Sequence, residues 1–260
     1  MRSIRPSLLI QPFTKPLAVL CLLLAASCAV AQDRDRLPPM LTDEDIELMK
    51  VYEVRLDADP PPRITIPRDE LRNFLKDHQQ DDRIPRGKRD QDKWLRADGH
   101  VQLRLLFDLK ARDYYKHVRV KSQIPAFRDW GNIHRRHILG FIQPIFGSGQ
   151  VPGLYLFPRG RDAERIEMTN LYILTQVSIE GVPLIDRNAP EESLLVQWGL
   201  PRAAAKFPAP EVDGWEAKYK DTKDERFIEH VDWIKSLFPA NQGYNYGVNY
   251  KLPGQKKPAS

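Results

Sequence analysis

The chain has 260 residues, of which 40 are Lys or Arg and 35 are Asp or Glu, giving a net charge of +5 at neutral pH. Its two cysteines, Cys21 and Cys28, both lie in segment 1–31, so the rest of the chain has no thiol for a disulfide, a thiolate metal site or a cysteine nucleophile. That segment also holds three basic residues and no acid, which leaves 37 of the 40 basic residues against 35 acidic ones beyond it and gives no reason to expect a nucleic-acid partner.

Residues 1–31 have the composition of a signal peptide. A basic leader precedes the apolar run 17–26, which at about ten residues is too short to span a bilayer. Two processing routes fit the sequence: ordinary cleavage after Ala31, or lipidation of Cys28 at the end of a segment, 25–28, that resembles a bacterial lipoprotein box. We therefore expect an exported protein of the periplasm or cell envelope, held to a membrane only if Cys28 carries a lipid.

After a polar linker, segment 32–112 is predicted to be helical. Thr42 is typical of a helix N-cap, because the three acids that follow it favour the positive end of the helix dipole. The apolar spacing then predicts a helix through Ile46 to Val51 and an extended piece 64–66. A second helix is predicted to open at Pro67 and to carry the apolar residues Leu71, Phe74 and Leu75. A solvated loop over 76–93 and a helix through Val101 to Leu109 are predicted to follow.

Segment 113–240 is predicted to be a second, irregular helical domain. Its first half is expected to contain an extended piece 117–124, a helix over 127–141, a glycine-rich turn at 147–153 and an extended run 154–157. Its second half is expected to contain a helix over 168–177 and a helix start at 188–192. A last helix begins near Asp224 and aligns four apolar side chains on one face: Phe227, Val231, Ile234 and Phe238. Residues 241–260 are predicted to form a flexible tail. With 22 prolines, the whole chain is predicted to be mainly α with long proline-rich connections.

Four runs in the C-terminal half resemble a known family. They are Pro190 to Leu195, Gly199-Leu200-Pro201, Phe207 to Val212 and Phe227 to Ile234. Together they resemble the C-terminal half of the secreted c-type cytochrome-like proteins that are abundant in planctomycete bacteria. The resemblance implies an irregular multi-helix cytochrome c-like domain over 113–240, preceded by a small helical segment, 32–112.

This resemblance fails at the residues that would hold a haem. Where the family has a Cys pair ending in Cys-His-Gly-Gly, the chain has the run 142–149, with neither cysteine nor histidine. Where a His-Pro pair would offer a second ligand, it has Ala209-Pro210. Since iron without axial donors has little to hold it, we expect a degenerate domain that binds no cofactor, with Ile142, Ile145 and Phe146 filling the volume of the haem.

Six histidines are the remaining candidates for cofactor or metal ligands. His134 and His137 are three residues apart on a predicted helix, a spacing that places two imidazoles on one face and permits ligation of a metal or a non-covalent haem. The alternative is a basic helix surface, because two arginines lie between them. The other four histidines are expected to be solvated: His78, His100, His117 and His230. Of these, His230 lies beside the apolar stripe of the last predicted helix, which begins with Phe227. No third ligand is near in sequence, so no metal site is predicted.

Patterns that would indicate catalysis are missing from the sequence. The acid clusters 43–45 and 81–82 lack the spacing of a calcium loop. Ser148, between two glycines, completes neither a nucleophile elbow nor a phosphate-binding loop. We therefore predict no enzymatic activity and no catalytic residues.

Tyrosines in the tail are the clearest sign of a partner. Tyr244, Tyr246 and Tyr250 alternate with Asn and Gly, a composition typical of adaptable contact surfaces. They could bind an envelope protein or a glycan, or they could fold back onto the domain as a cover.

Three functional hypotheses follow from these observations. The first is an exported, non-catalytic structural or interaction module that keeps a cytochrome c-like scaffold without haem. The second is a periplasmic electron-transfer protein whose non-covalent haem or metal is ligated by His134 or His137. The third is an envelope hydrolase.

Overall fold

Helices joined by long irregular connections dominate the structure, so the prediction of a mainly α chain is confirmed. The computed structural model describes residues 38–237 and 246–253; the predicted signal peptide and Cys28 lie outside them. The chain divides into Met1–Pro39 and Met40–Ser260, and all elements named below belong to the second unit.

The elements of that unit are short. The α-helices are α1 (Asp43–Glu53), α2 (Arg68–Asp77), α3 (Gly87–Trp94), α4 (Gly99–Asp108), α5 (Pro125–Ile133), α6 (Gln143–Ile145), α7 (Ala163–Gln176), α8 (Leu194–Gln197) and α9 (Glu225–Ser236). A 3₁₀ helix spans Arg112–His117, a π-helix spans His134–Ile142 between α5 and α6, and a 3₁₀ turn spans Pro190–Glu192. The strands are β1 (Ile64–Thr65), β2 (Arg119–Val120), β3 (Ser178–Ile179) and β4 (Val182–Pro183), with β1 paired antiparallel to β2 and β3 to β4.

Local signals at two helix starts are confirmed. Thr42 Oγ1 accepts a hydrogen bond from the Asp45 N–H at 3.2 Å, and the Asp45 carboxylate accepts one from the Thr42 N–H at 3.0 Å. This capping box satisfies two backbone donors at the start of α1. Asp224 caps α9 by accepting from the Arg226 N–H at 3.0 Å. Both starts depend only on residues within one turn, which is why the sequence predicts them.

The segments on either side of residue 112 form one structural unit rather than two domains. β1 comes from the first segment and β2 from the second, and they pair with Ile64 opposite Val120. The Leu41 N–H donates to Thr169 Oγ1 in α7 at 3.1 Å, and buried side chains from both segments belong to one apolar core. The division expected at 112 is therefore not a boundary in the structure, because backbone pairing and the core cross it.

The predicted loop over 76–93 is wrong in its second half. α3 begins at Gly87 within that stretch, and its first four residues are exposed. Trp94 at its end is buried and packs on Phe74 of α2 with ring centroids 5.7 Å apart. One aromatic side chain therefore anchors a helix whose charged composition by itself indicates a loop.

Two other elements differ from the prediction in length. α7 begins at Ala163 rather than Met168, because Asp162 caps it by accepting from the Arg165 N–H at 3.3 Å. The helix start predicted at 188–192 produces only a 3₁₀ turn, followed by the four residues of α8.

Residues 246–253 are packed against the core, so the prediction of a flexible tail is wrong for them. Tyr246 is 2% exposed, and its hydroxyl donates to the Glu53 carboxylate at 2.7 Å and accepts from the Arg187 guanidinium. The Tyr250 ring meets the Tyr172 ring edge-on at 5.6 Å. The fold-back alternative therefore holds for this segment, whereas Tyr244 lies outside the described residues.

The run aligned with a haem motif, 142–149, is buried at three of its eight residues. Ile142 and Phe146 are fully buried, and the Phe146 ring contacts the Trp198 ring with centroids 4.7 Å apart. Ile145 is only partly buried. Ile142 and Phe146 are therefore core residues, and that they fill the volume of a haem stays a prediction.

Candidate functional site

The π-helix determines where the two candidate histidines lie. In an α-helix, residues three apart share a face, but a π-helix closes its hydrogen bonds over five residues and turns less per residue. His134 and His137 therefore diverge, and their side chains contact different parts of the core. Both are buried, at 2% and 1% exposed, so the alternative of a basic helix surface is wrong for the two imidazoles, while Arg135 and Arg136 between them are exposed.

His134 belongs to a closed hydrogen-bond network. The Asn170 amide accepts from the Phe157 N–H at 2.8 Å and donates to the Phe157 carbonyl at 3.0 Å. The same amide nitrogen donates to His134 Nε2 at 3.0 Å, so Nε2 is the unprotonated nitrogen. Burial lowers the pKa of His134 to about 4, and the nearby Arg135 adds to this effect. His134 is thus neutral and holds α7 and the extended run 154–157 to the π-helix.

His137 belongs to a different group, which we call the histidine chain: His137, Tyr219 and His230. His137 Nε2 lies 3.1 Å from the Leu195 carbonyl oxygen and 3.3 Å from the Tyr219 hydroxyl. Because a carbonyl only accepts, Nε2 carries the proton. The Tyr219 hydroxyl lies 2.6 Å from His230 Nδ1, and since His137 donates toward it, Tyr219 donates its own proton to His230. The chain therefore runs in one direction, and His230 Nε2 carries the remaining proton.

The direction of the chain leaves one acceptor unused. With its proton on Nε2, His137 has a lone pair on Nδ1, and this buried nitrogen has no hydrogen-bond partner. A buried polar atom without a partner costs about 1–3 kcal/mol and is rare in native structures. His137 is therefore the polar group in this region whose bonding is incomplete.

The histidine chain forms the floor of a pocket of about 200 Å³, which we call the histidine pocket. Its buried floor consists of Ile133, His137, Tyr219 and His230. Its more exposed rim consists of Asn132, Arg136, Lys218, Arg226 and Glu229. α5, the π-helix, the loop before α9 and α9 itself supply these residues, so the pocket depends on packing between distant parts of the chain.

Gly199 permits the close approach that places Tyr219. The Gly199 carbonyl accepts from both the Lys218 and Tyr219 N–H groups, at 2.7 and 2.9 Å. A Cβ at position 199 would lie 2.3 Å from the Tyr219 ring, which is well inside van der Waals contact. A glycine is therefore required there for Tyr219 to reach His137 and His230.

The rim makes the pocket electropositive. Three cations, Arg136, Lys218 and Arg226, line the pocket together with one carboxylate, that of Glu229. Arg226 pairs with Asp224 at 2.9 Å, whereas Arg136 and Lys218 form no ion pair with any residue that the structure describes. The pocket thus combines a neutral floor with a rim on which two cations lack a counter-charge.

Burial keeps the floor neutral at physiological pH. It lowers the pKa of His230 to about 4 and the pKa of His137 well below its ordinary value, with Lys218 and Arg226 contributing to both shifts. It also raises the pKa of Tyr219. Because none of the three groups titrates near neutrality, the floor is poorly suited to general acid–base catalysis, which works best with a pKa near the working pH.

Within the described ranges no three His, Cys, Asp or Glu side chains are grouped so as to hold a metal ion. His134 and His137 do not converge, and the hydrogen bonds of His230 use the nitrogen that could otherwise ligate. No helix in the described part of the chain is both long and apolar enough to cross a membrane.

The other residues singled out in the sequence lie apart from this pocket. His78, His100 and His117 are half-buried rather than fully solvated, and His78 Nδ1 lies 3.1 Å from the Phe74 carbonyl oxygen. Ser148 is exposed and bonds to Gln143. The expectation of a solvated His230 is wrong, because α9 turns its apolar stripe and His230 together toward the core.

Comparison of the chain with protein-family models, with curated proteins and with solved structures gives no match. The likeness to a cytochrome c-like domain therefore remains a hypothesis from the sequence, and the histidine pocket must be interpreted from its own geometry.

Proposed function

We propose that this protein is an exported, haem-free and non-catalytic binding module of the periplasm or cell envelope, and that it binds a small molecule in the histidine pocket. The observation that carries the proposal is the pocket itself, in which a neutral floor that includes Tyr219 and His230 lies under a rim with Arg136 and Lys218, two cations that form no ion pair within the described residues. The cytochrome c-like scaffold is part of the proposal only as its evolutionary background.

Binding is favoured over catalysis because of the groups that line the pocket. None of them is a serine, threonine or cysteine, and Glu229 is the one carboxylate among them. An esterase or peptidase would therefore lack its usual hydroxyl or thiol nucleophile, and a glycosidase would lack the second carboxylate that it needs. Tyr219 is held by His230 and its raised pKa makes it a weak nucleophile. The envelope hydrolase is therefore the weaker hypothesis.

Electron transfer through a haem held by His134 or His137 is also less well supported. The two imidazoles bond to different parts of the core, Asn170 and Leu195, and only His137 reaches the pocket. The volume of about 200 Å³ is below the range of roughly 300–1,000 Å³ typical of pockets for drug-sized ligands. A four-ring porphyrin does not fit such a space without unfolding its surroundings.

The test uses the mature chain purified after export, labelled with ¹⁵N at histidine. We expect no Soret band, no hydrolysis of nitrophenyl esters or glycosides, and a shift of the His137 and His230 ring resonances when the low-mass filtrate of an envelope extract is added. The His78 resonance, which is outside the pocket, is the internal control. A stoichiometric Soret band, or a filtrate that leaves both pocket resonances unmoved, overturns the proposal.

A further inference from the structure

The charges on the rim of the histidine pocket do not balance. Arg226 is already neutralised, because the Asp224 carboxylate accepts from its Nε at 3.1 Å and from its Nη2 at 2.9 Å. Of the described residues that line the pocket, Glu229 is the only carboxylate, and Arg136 and Lys218 are the two remaining cations. None of these three forms an ion pair within the described part of the chain. The rim therefore has an excess of one positive charge, which a singly charged anion neutralises.

The floor of the pocket favours an apolar group. Ile133, Tyr219 and His230 are between 2% and 7% exposed there, and the Tyr219 hydroxyl is already bonded to His230 Nδ1 at 2.6 Å. An ion placed against this neutral floor gives up water without gaining a counter-charge, which is costly. Each CH₂ group buried there favours binding by about fourfold. The occupant is therefore charged at one end and apolar at the other.

The size of the pocket sets an upper limit on that occupant. A dry cavity of about 150 Å³ holds a benzene molecule, so the pocket of about 200 Å³ has room for on the order of six to ten non-hydrogen atoms. A dicarboxylate of this size brings more negative charge than the rim neutralises. A phosphate ion, polar on every side, leaves the apolar floor uncovered.

We infer that the histidine pocket binds a small monocarboxylate, with its carboxylate among the cations of the rim and its compact apolar body on the floor. This inference rests on the proposed binding function and names its ligand class. A carboxylate suits the rim because hydrogen bonds from lysine and arginine to a carboxylate are stronger than those between neutral groups. Both free cations are at least partly exposed, so each contributes a modest share of the affinity.

A matched set of probes tests the inference: butyrate, butyramide, acetate and succinate. Butyramide has the shape of butyrate without its charge, acetate has the charge without the body, and succinate adds a second carboxylate at the far end. Each is titrated into the mature chain labelled with ¹⁵N at histidine, with the His230 resonance as the reporter and His78 as the internal control. We expect millimolar binding of butyrate, and binding of each other probe weaker by on the order of tenfold.

Two variants assign the contact with the rim. Arg136→Gln and Lys218→Gln each remove one free cation, and each is expected to weaken butyrate by about two- to fivefold while leaving butyramide unchanged. Lys223→Gln, outside the pocket, removes the same charge and is expected to change neither probe. All three side chains are at least partly exposed, so the substitutions leave the core intact.

A third variant tests the charge balance itself. Glu229→Gln raises the excess charge of the rim from one to two, so it is expected to strengthen succinate more than butyrate and to narrow the difference between them. Glu225→Gln, in the same helix and outside the pocket, is the matched control. An unchanged ratio of succinate to butyrate affinity in Glu229→Gln would contradict the argument from charge.

The outcomes separate this inference from the proposed function. Equal affinities for butyrate and butyramide remove the charge from the inference, and equal affinities for butyrate and acetate remove the apolar body. Tighter binding of succinate than of butyrate by the parent chain assigns the pocket to a dianion instead. If no probe binds but the envelope filtrate still shifts His137 and His230, the ligand class is wrong and the binding function stands; if neither acts, both fall.

Discussion

Two buried clusters, each with a tyrosine hydroxyl at its centre, differ in whether their members carry charge. In the first, which we call the ionic cluster, Glu53 and Arg187 form an ion pair at 2.7 Å with side chains 0% and 5% exposed. The Tyr246 hydroxyl bonds to both partners. Charge is cancelled inside the cluster, and the three residues come from α1, a loop and the C-terminal segment, so the cluster ties distant parts of the chain together.

The histidine chain is built from neutral groups. His137, Tyr219 and His230 also come from three places in the sequence, but their hydrogen bonds leave His137 Nδ1 without a donor. The uncompensated cations lie on the pocket rim instead of in the core. The difference is therefore one of charge and position: the ionic cluster neutralises opposite charges inside the core, whereas the neutral histidine chain borders a pocket whose charges lie on the rim.

The largest expected effect concerns the ionic cluster. Glu53→Gln leaves the Arg187 guanidinium buried without a counter-charge, which costs about 3–5 kcal/mol for a buried pair. We expect that loss in the free energy of unfolding measured by urea denaturation. Glu47→Gln, in the same helix and paired with Lys50 at the surface, is the matched control and should cost at most about 0.5 kcal/mol. A loss below 1 kcal/mol for Glu53→Gln would mean that the cluster does not hold the C-terminal segment.

The next effect is the pH dependence contributed by His230. Its pKa is about 4 in the folded chain and about 6.5 when unfolded, so between these values the unfolded state binds the proton and the folded state does not. Stability is therefore lost as pH falls from 6.5 to 4, by about 3 kcal/mol for this one group. The groups that bear on it are Arg226 and Lys218, which lower its pKa, and Asp224, which raises it.

His230→Gln isolates that contribution. The variant should lose about 3 kcal/mol less stability than the parent between pH 6.5 and 4, measured by urea denaturation at each pH. His100→Gln, at a half-buried position outside the pocket, is the control. Parallel pH curves for parent and His230→Gln would show that burial does not lower the pKa of His230 in the folded protein.

The parts of this fold that sequence reasoning found are those specified within one helical turn. Thr42 and Asp224 are followed by residues that complete their caps, and the stripe Phe227, Val231 and Ile234 repeats at helical spacing. His230 lies three residues after Phe227, so its burial could also have been inferred from the stripe. The charged residues near it in sequence, Glu229 and Asp232, suggested a solvated position instead, and that expectation was wrong.

The parts that were missed depend on contacts between distant residues. Tyr219 is flanked by two lysines, and only the approach permitted by Gly199 buries it. The π-helix that separates His134 from His137 shares its apolar spacing with an ordinary helix, so the pattern cannot distinguish the two. The ionic cluster likewise joins residues 53, 187 and 246, which are far apart in the sequence, and no short sequence pattern predicts that they contact one another.

A smaller effect is expected at Gly199, where the pocket depends on the absence of a side chain. Gly199→Ala places a Cβ 2.3 Å from the Tyr219 ring, and overpacking of this kind costs about 1–3 kcal/mol. It should also displace the Tyr219 ring and so shift the ring resonances of His137 and His230. Gly140→Ala, whose added Cβ meets nothing nearer than 4.0 Å, is the control. Unchanged stability and unchanged resonances in Gly199→Ala would show that the Tyr219 ring is not held where the histidine chain requires it.

The smallest effect compares the same deletion in both clusters. Tyr246→Phe removes a hydroxyl bonded to two charged groups, worth about 1.5–3 kcal/mol, whereas Tyr219→Phe removes one bonded to neutral histidines, worth about 1 kcal/mol. We expect urea denaturation to show a difference of about 1 kcal/mol, with Tyr115→Phe as the control, because that hydroxyl has no partner among the described residues. If Tyr219→Phe costs as much as Tyr246→Phe, the histidine chain holds the fold as firmly as the ionic cluster does.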